Sequence, residues 1–206
     1  KRIYDADEGP NTGGMGAVSS LELFEGDLRE VIDDTIVKPT VEGLQKDGLP
    51  YRGFLYFGLM LTPQGPKVIE YNCRFGDPEA EAVLPMIEGD FAAHVAAGAS
   101  GELNPDAISF SKGWSICLVS ASAGYPTSSR SGDVISGLEA ETDARGFHAG
   151  KKRNEAGQFE TAGGRVLVVT ARGATREKAV QRVYEESDKI SFAGMQRRSD
   201  IGTRNF

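Results

Sequence analysis

Three polar side chains at alternate positions of one stretch are the strongest chemical signal in this sequence. The stretch at 67–74, KVIEYNCR, is predicted to be a strand. Alternate side chains of a strand point to opposite faces, so Glu70, Asn72 and Arg74 should share a face with Val68. Carboxylate and amide oxygens suit Mg²⁺, and a guanidinium suits phosphate, so the pattern indicates chemistry on a metal-bound phosphate. The opposite face would carry Ile69, Tyr71 and Cys73.

A second interpretation of the same residues is purely structural. An exposed strand face often carries Glu, Asn and Arg, and a cross-strand ion pair would use them without any ligand. The next residues favour a ligand, because Asp77 is a good N-cap and Pro78 a good first residue of a helix. The positive end of that helix would favour an anion beside Arg74. The strand by itself leaves both interpretations open.

A hairpin and two helices are predicted to position these residues. The apolar run at 53–61 is predicted to be a buried strand, and the Pro- and Gly-containing turn at 62–66 should lead it back antiparallel into 67–74. An Ala-rich helix is predicted over 78–98, and another helix over 27–47.

The predicted helix over 27–47 carries its own boundary signals. Asp27 and Glu30 have the spacing of a capping box at its start. Pro39 should kink or split the helix, and Gly48 should end it. The apolar stripe consists of Leu28, Val31, Ile32 and Ile36.

A glycine-rich loop occupies residues 9–18, GPNTGGMGAV. Glycines permit positive φ and close approach of the backbone to a ligand. The loop lacks the Gly-Lys-Ser/Thr of a phosphate-binding P-loop, and it does not match the GxGxxG of a dinucleotide-binding turn. A structural turn therefore explains it without a ligand, while Asn11 and Thr12 add hydrogen-bonding groups that a ligand loop would use.

The alternation of apolar runs breaks around residues 99–112, where we place a domain boundary. The predicted domains are 1–108 and 109–206, and the mixture of helices with antiparallel strands makes the fold class α+β. The second domain contains predicted strands at 114–120 and 165–171 and a helix capped by Thr175 that ends near Ile190.

Composition excludes several classes of protein. The 206 residues carry a net charge of −7, which argues against a nucleic-acid partner. Cys73 and Cys117 show no CxxC spacing, so neither a disulfide scaffold nor a zinc site is indicated, and a reducing cytoplasm fits. The longest apolar runs fall short of the roughly 20 residues of a membrane-spanning helix, so no membrane partner is expected.

Several blocks resemble, in order and spacing, the phosphoribosylamine–glycine ligase family of ATP-grasp enzymes. The specific blocks are GPNTGGMGA at 9–17, YRG at 51–53 and NCRFGDPE at 72–79. Weaker blocks follow: GYP at 124–126, GDVI at 132–135, FHAG at 147–150, GGRVL at 163–167 and DIG at 200–202. The resemblance implies the C-terminal half of an ATP-grasp domain, an antiparallel sheet with helices, followed by a small mixed α/β domain.

The resemblance implies an ATP-dependent carboxylate–amine ligase of purine biosynthesis. Such enzymes join glycine to 5-phosphoribosylamine through a glycyl phosphate. Glu70 and Asn72 would then ligate Mg²⁺ or Mn²⁺, and Arg74 would stabilise the transferring phosphoryl group. ATP would be a co-substrate near Met60, for which a plain core methionine is an equal alternative. The implied substrate contacts are Asn11, Thr12, Gly13, Gly14, Gly16 and Asp77.

Four positions depart from the family pattern. Gly58 falls where many ATP-grasp enzymes carry a second acidic Mg²⁺ ligand. Ala80 and Glu81 stand in place of Thr and Gln, and Lys151 stands in place of Thr. His148, two residues before Gly150, is interpreted as a structural histidine.

The chain begins at Lys1, without an initiator Met, and we expect a fragment. The resemblance implies a missing N-terminal half that supplies a substrate-binding domain and a phosphate-binding lysine, so the fragment alone should be inactive. The alternatives are another ATP-grasp ligase or carboxylase, and a non-catalytic nucleotide-binding module.

Overall fold

The computed structural model describes residues 2–24, 26–139 and 144–203, and these fall into two compact units. The sheet unit draws on residues 1–20, 77–86 and 112–206, and the hairpin unit on 21–76 and 87–111. These units interleave along the chain, whereas the predicted domains are consecutive. The boundary between 108 and 109 stays a prediction.

The secondary structure is a mixture of antiparallel strands and short helices, in agreement with the predicted α+β class. No helix within the described ranges is long and apolar enough to span a bilayer. The strands are β1 (Arg2–Tyr4), β2 (Glu8–Asn11), β3 (Gly16–Ser19), β4 (Tyr56–Thr62), β5 (Gly65–Asn72), β6 (Ile87–Glu88), β7 (Ser109–Phe110), β8 (Trp114–Ala121), β9 (Arg145–His148), β10 (Lys151–Arg153), β11 (Phe159–Thr161) and β12 (Arg165–Gly173). The helices are α1 (Leu28–Ile32), α2 (Lys38–Lys46), α3 (Glu79–Val83), α4 (Phe91–Ser100) and α5 (Arg176–Ser187).

The sheet unit is built on a four-stranded antiparallel sheet in the order β3-β8-β12-β9. All eight residues of β8 are buried, because both faces of this central strand are covered. One face, with Cys117, Val119 and Val168, packs against Met15 and Ala82. The other face is covered by α5, whose Ala179 and Val183 are fully buried.

Helix α5 begins where the sequence predicts and ends earlier than predicted. The Thr175 side chain accepts a hydrogen bond from the backbone N–H of Lys178, which is the predicted N-cap. The helix stops at Ser187, three residues before the predicted end at Ile190.

The hairpin unit contains the predicted antiparallel hairpin, which joins β4 to β5. The prediction that the first strand is buried was wrong, since every residue of β4 is at least partly exposed and Leu61 is 57% exposed. A second small ladder pairs β6 with β7 in the same unit.

The predicted helix over 27–47 exists as one helical run with a π-helical turn at Asp33–Val37 between α1 and α2. Pro39 is the second residue of α2, so the irregular π-helical turn lies directly before the residue that lacks an N–H. Gly48, at φ +67°, follows the run as predicted. The capping box was wrong, because the Asp27 side chain makes no capping hydrogen bond.

The single helix predicted over 78–98 was wrong. Helix α3 ends at Val83 and continues only as a 3₁₀ turn, Leu84–Met86, before β6 begins. Gly89 adopts φ +82°, and Asp90 then caps α4 by accepting a hydrogen bond of 3.0 Å from the N–H of Ala93. Pro85 and Gly89 explain the break, since neither supports a helix interior.

Candidate functional site

The hairpin places Glu70 and Asn72 on one face, as the sequence predicts. Glu70 pairs with Gly58 and Asn72 with Tyr56, and directly paired residues of antiparallel strands point to the same side. Met60, two residues after Gly58 on β4, lies on this face by alternation and is 55% exposed.

A β-bulge in β5 corrects one part of the predicted pattern. Gly58 pairs with Glu70 but Leu59 pairs with Val68, so Ile69 has no partner of its own on β4. The extra residue puts Val68 on the face opposite Glu70, together with Tyr71 and not with the candidate ligands. Strict alternation from Val68 through Glu70 was therefore wrong.

Gly58 leaves the space that the Glu70 side chain occupies. A Cβ placed on Gly58 would lie 2.8 Å from Cγ of Glu70, a distance that real Cβ atoms essentially never show. Gly58, where many ATP-grasp enzymes carry a second acidic ligand, thus lies directly beside Glu70. Because it has no side chain, the Glu70 side chain can lie over it on the hairpin face.

Arg74 lies just beyond the end of β5, at an exposed position. Its guanidinium donates a hydrogen bond of 2.7 Å to the carbonyl of Phe75. The Phe75 ring packs at 4.0 Å between centroids against Phe54 and at 6.3 Å against Phe91. This aromatic cluster fixes the segment that carries Arg74 while leaving most of the guanidinium donors directed to solvent.

The donors on this face fit a hard cation bound together with phosphates. Glu70 offers a carboxylate and Asn72 an amide oxygen, which are ligands that Mg²⁺ accepts. Among the described residues no group of three or more His, Cys, Asp or Glu side chains could hold a metal by itself. Mg²⁺ commonly takes one or two protein ligands and fills its octahedron with phosphate and water, so the two side chains suffice only with a phosphate present.

The glycine-rich loop lies in the sheet unit, where hydrogen bonds fix its shape. The N–H of Gly13 donates to the Tyr125 hydroxyl at 2.9 Å, and the N–H of Gly14 donates to Oγ1 of Thr12 at 3.0 Å. Gly14 has φ +123°, and a Cβ there would lie 2.5 Å from Cδ of Pro78. Only glycine satisfies both conditions at this position.

Arg165 holds this loop against the segment that follows the strand motif. Its Nη1 donates to the carbonyls of Gly13 at 3.2 Å and Asp77 at 2.9 Å, and it forms an ion pair of 3.0 Å with the Asp77 carboxylate. The predicted N-cap role of Asp77 was wrong, since Pro78 is the capping residue and no side chain caps α3. Asp77 is an ion-pair partner instead.

A second bulge explains why sequence reasoning missed Arg165. Arg165 pairs with Ala121 while Leu167 pairs with Ser120, so Val166 has no partner on β8. Arg165 consequently shares the face of Val119 and Val168, although strict alternation would place it with Leu167. The GGR motif was visible in the sequence, but the direction of its arginine depends on the register.

Two carboxylates of α3 have oxygens without a hydrogen-bond partner, and one of them, Glu81, interacts with Arg165. One oxygen of Glu79 and one of Glu81 are buried without a hydrogen-bond partner. Burial raises the pKa of the Glu81 carboxyl, and the neighbouring Asp77 and Glu79 raise it further, while Arg165 lowers it.

The predicted site residues thus form two groups. Glu70, Asn72 and Met60 share one face of the hairpin, with Arg74 just beyond the end of its second strand. In the sheet unit, Arg165 joins Gly13, Gly14 and Asp77. Thr12 bonds within the loop, and Asn11 ends β2 at an exposed position opposite Arg2. Gly16 begins β3, opposite Leu118.

Comparison with known proteins gives a consistent set of matches. The ATP-grasp (A) domain model of phosphoribosylglycinamide synthetase matches residues 1–80, and the C domain model of the same enzyme matches residues 115–204. The phosphoribosylamine–glycine ligases of Caldanaerobacter subterraneus subsp. tengcongensis and Yersinia pestis are 41% and 44% identical over 98% and 99% of this chain. The chain spans about half the length of these relatives, 48% of each.

Solved structures agree with the sequence matches. The crystal structure of the Thermotoga maritima phosphoribosylamine–glycine ligase superposes with a TM-score of 0.86 and 37% identity, over 98% of this chain and 49% of that one. The biotin carboxylase domain of the Hydrogenobacter thermophilus 2-oxoglutarate carboxylase, solved with MgADP and bicarbonate, gives a TM-score of 0.62 at 17% identity, over 89% of this chain and 40% of that one. The second likeness concerns the fold alone.

Proposed function

The chain belongs to the phosphoribosylglycinamide synthetase family, and we propose that it works as part of an ATP-dependent ligase that joins glycine to 5-phosphoribosylamine. The product would be glycinamide ribonucleotide, made in the cytoplasm for purine biosynthesis. The proposal concerns a longer polypeptide, since the matched relatives are about twice as long as this chain.

The observation that carries the proposal is the hairpin face with Glu70 and Asn72 beside the bare Gly58. These two side chains would hold Mg²⁺, or Mn²⁺ in its place, together with phosphate oxygens. The bound cation would neutralise the β- and γ-phosphates, which must approach the glycine carboxylate, another anion. Met60, on the same face, would pack near the adenine of ATP.

Arg74 would supply the positive charge on the transferring phosphoryl group. The glycine carboxylate attacks the γ-phosphorus, the bond to the bridging oxygen breaks, and ADP leaves with that oxygen. Charge develops on the phosphoryl oxygens during the transfer, and the available guanidinium donors of Arg74 would stabilise it. The amine of 5-phosphoribosylamine then attacks the glycyl carbonyl and expels phosphate.

The glycine-rich loop with Asp77 would contact the acceptor substrates. Arg165 and Tyr125 fix the loop before any ligand arrives, which lowers the entropy cost of binding. We assign substrate contacts to the backbone and side chains of Asn11, Thr12, Gly13, Gly14, Gly16 and Asp77.

Turnover of a chimaera tests the proposal: these 206 residues follow the first half of the Yersinia pestis relative, and ADP release is measured. ADP release should require both glycine and 5-phosphoribosylamine, and Glu70→Gln should lower kcat by about 100-fold or more and raise the Mg²⁺ concentration needed for half-maximal rate. Glu42→Gln, at an exposed position of α2, is the matched control and should leave kcat and the Mg²⁺ requirement unchanged. The 206-residue chain alone should show no such turnover.

Two other outcomes would contradict the proposal. ADP release that needs bicarbonate in place of glycine would identify a carboxylase, and binding of Mg·ATP without turnover would identify a non-catalytic module.

A further inference from the structure

The sheet unit contains a cavity of about 660 Å³ that the proposed function does not use. It lies on the α5 side of the sheet, since its floor is formed by Leu167 and Val169, and it extends past β9 to the β10–β11 ladder. This volume is in the range of cavities that hold small organic ligands. Apolar walls are completed by Val134, Ile135, Leu138, Phe159 and Ile190.

Three basic side chains in this cavity converge on one aromatic ring. Nζ of Lys151 lies 4.6 Å and Cζ of Arg153 lies 4.2 Å from the centroid of the Phe159 ring. The His148 ring meets the same ring edge-on, with centroids 5.5 Å apart. Alternation along β10 explains the convergence, because Lys151 and Arg153 point to one side of the ladder and Lys152 to the other.

The described part of the lining contains two acids, Glu139 and Glu186. Among the described residues Lys151 forms no ion pair, whereas the neighbouring Lys152 is paired with Glu160 at 3.3 Å. Lys189 is paired with Glu186 at 2.6 Å, which leaves Glu139 as the other acid among the lining residues that the structure describes. Arg153 donates its one fixed hydrogen bond to the carbonyl of Gly157, at 2.6 Å.

Burial and mutual repulsion shape the electrostatics of these groups. Burial lowers the pKa of Lys151, while burial together with the positive charges of Lys151 and Arg153 lowers the pKa of His148. A half-buried ammonium without a carboxylate gains more from an incoming anion than an exposed one does, because water screens it less.

We propose that this cavity binds a small organic anion with an apolar body, such as an aryl phosphate or carboxylate. The charged group would lie on Lys151 and Arg153, and the apolar body against Leu167, Val169 and the wall beside Phe159. The inference stands on the cavity, the converging cations and the apolar floor, and it is independent of the ligase activity.

Titration of the ¹⁵N-labelled 206-residue chain with phenyl phosphate tests the proposal. The backbone amides of Gly146 and Gly157, which line the cavity, should shift in a saturable way. Lys151→Gln should weaken binding about tenfold, and Lys151→Arg should hold it within threefold. Lys152→Gln is the matched control and should leave the affinity unchanged, because that side chain points away from the cavity.

Two further probes separate the parts of the proposed ligand. Inorganic phosphate lacks the apolar body and benzyl alcohol lacks the charge, so each should bind at least tenfold more weakly than phenyl phosphate. Equal losses in Lys151→Gln and Lys152→Gln, equal binding of inorganic phosphate, or shifts confined to residues outside the cavity would each overturn the proposal. If Lys151→Gln loses its dispersed spectrum, Arg153→Gln serves as the second variant, with the same tenfold loss expected.

Discussion

The sheet unit and the hairpin unit bury their apolar side chains to very different degrees. In the sheet unit, Ile116, Leu118 and Val166 are fully buried on a sheet covered from both sides. In the hairpin unit, Ile36 is the buried large apolar residue among those described, at 7% exposure, while Leu61 and Ile69 are 57% and 62% exposed. The sheet unit therefore carries its own core, whereas the hairpin unit relies on strand pairing and the Phe54–Phe75–Phe91 cluster.

Two arginines show what this difference means for chemistry. The side chain of Arg165, in the sheet unit, is 21% exposed, and its guanidinium donates hydrogen bonds to carbonyls and pairs with a carboxylate of the same unit. Arg74, in the hairpin unit, is exposed and donates to the adjacent Phe75 carbonyl. An arginine whose donors are already bound stabilises a loop, while one with available donors suits an incoming phosphate.

Truncation of a core leucine should destabilise the sheet unit far more than truncation of a leucine in the hairpin unit. Leu118→Ala, in the sheet unit, should lower the free energy of unfolding by about 3 kcal/mol, because it opens a cavity in a covered sheet. Leu61→Ala, in the hairpin unit, should cost less than about 0.5 kcal/mol. Urea unfolding followed by the single tryptophan, Trp114, and by circular dichroism measures both. Equal losses would show that the two units are packed alike.

Acid should weaken the sheet unit through Asp200. Hydrogen bonds from Arg198 lower the pKa of Asp200 to about 2, against 3.8 for an unperturbed aspartate. A carboxyl whose pKa is lowered by folding stabilises the protein fully above its unfolded pKa, and this contribution is lost as the pH falls from about 4 to about 2. Asp200→Asn should therefore cost on the order of 2 kcal/mol at pH 7 and flatten the pH dependence below 4.

The control for Asp200 is Asp47→Asn, at an exposed position of the hairpin unit. It should leave both the unfolding free energy at pH 7 and its fall between pH 4 and 2 unchanged. If Asp200→Asn loses stability in acid as steeply as the unmodified chain, the Arg198 pair does not account for the acid sensitivity.

Removal of the Arg165 guanidinium should loosen the glycine-rich loop more than it destabilises the fold. Arg165→Gln is expected to cost about 1.5 kcal/mol, since it leaves carbonyls and the Asp77 carboxylate without their donor. The Gly14 amide should exchange its hydrogen faster, by about tenfold. Arg172→Gln, at an exposed position of the same strand, is the matched control. Unchanged exchange at Gly14 would mean that Tyr125 and Pro78 hold the loop without Arg165.

Replacement of Ala6 by glycine should slightly raise the free energy of unfolding. Ala6 adopts φ 56° and ψ 22°, a left-handed conformation that costs an L-residue about 1 kcal/mol or more. Ala6→Gly removes that strain but adds freedom to the unfolded chain, so a net stabilisation of about 0.5 kcal/mol is expected. Ala179→Gly, inside helix α5, should show the opposite sign. Destabilisation by Ala6→Gly would show that its neighbours already relieve the strain.

Local signals in the sequence predicted the hairpin, the Thr175 cap and the shared face of Glu70 and Asn72, because each depends on a few neighbouring residues. The helix predicted over 78–98 was wrong where Pro85 and Gly89 outweighed the alanine-rich composition. The burial of β4 was overestimated, since an apolar strand does not by itself show whether anything covers it.

The directions of the Val68 and Arg165 side chains could not be predicted from the sequence, for one physical reason. Each lies next to a bulge, at Ile69 and Val166, and a bulge reverses the alternation that sequence patterns rely on. The contacts of Arg165 with the glycine-rich loop and with Asp77 could not be predicted for the same reason. They depend on how the strands pair in the folded sheet and not on spacing along the chain.

The bulge at Ile69 has a consequence for changes in chain length. A residue without a partner on β4 can be deleted while Val68 stays opposite Leu59 and Glu70 stays opposite Gly58. A deletion at any other interior position of β5 would shift the pairing of every residue on one side of it. Ile69 is thus the point where this strand can shorten by one residue and still present Glu70 and Asn72 as before, with a flatter local twist as the main difference.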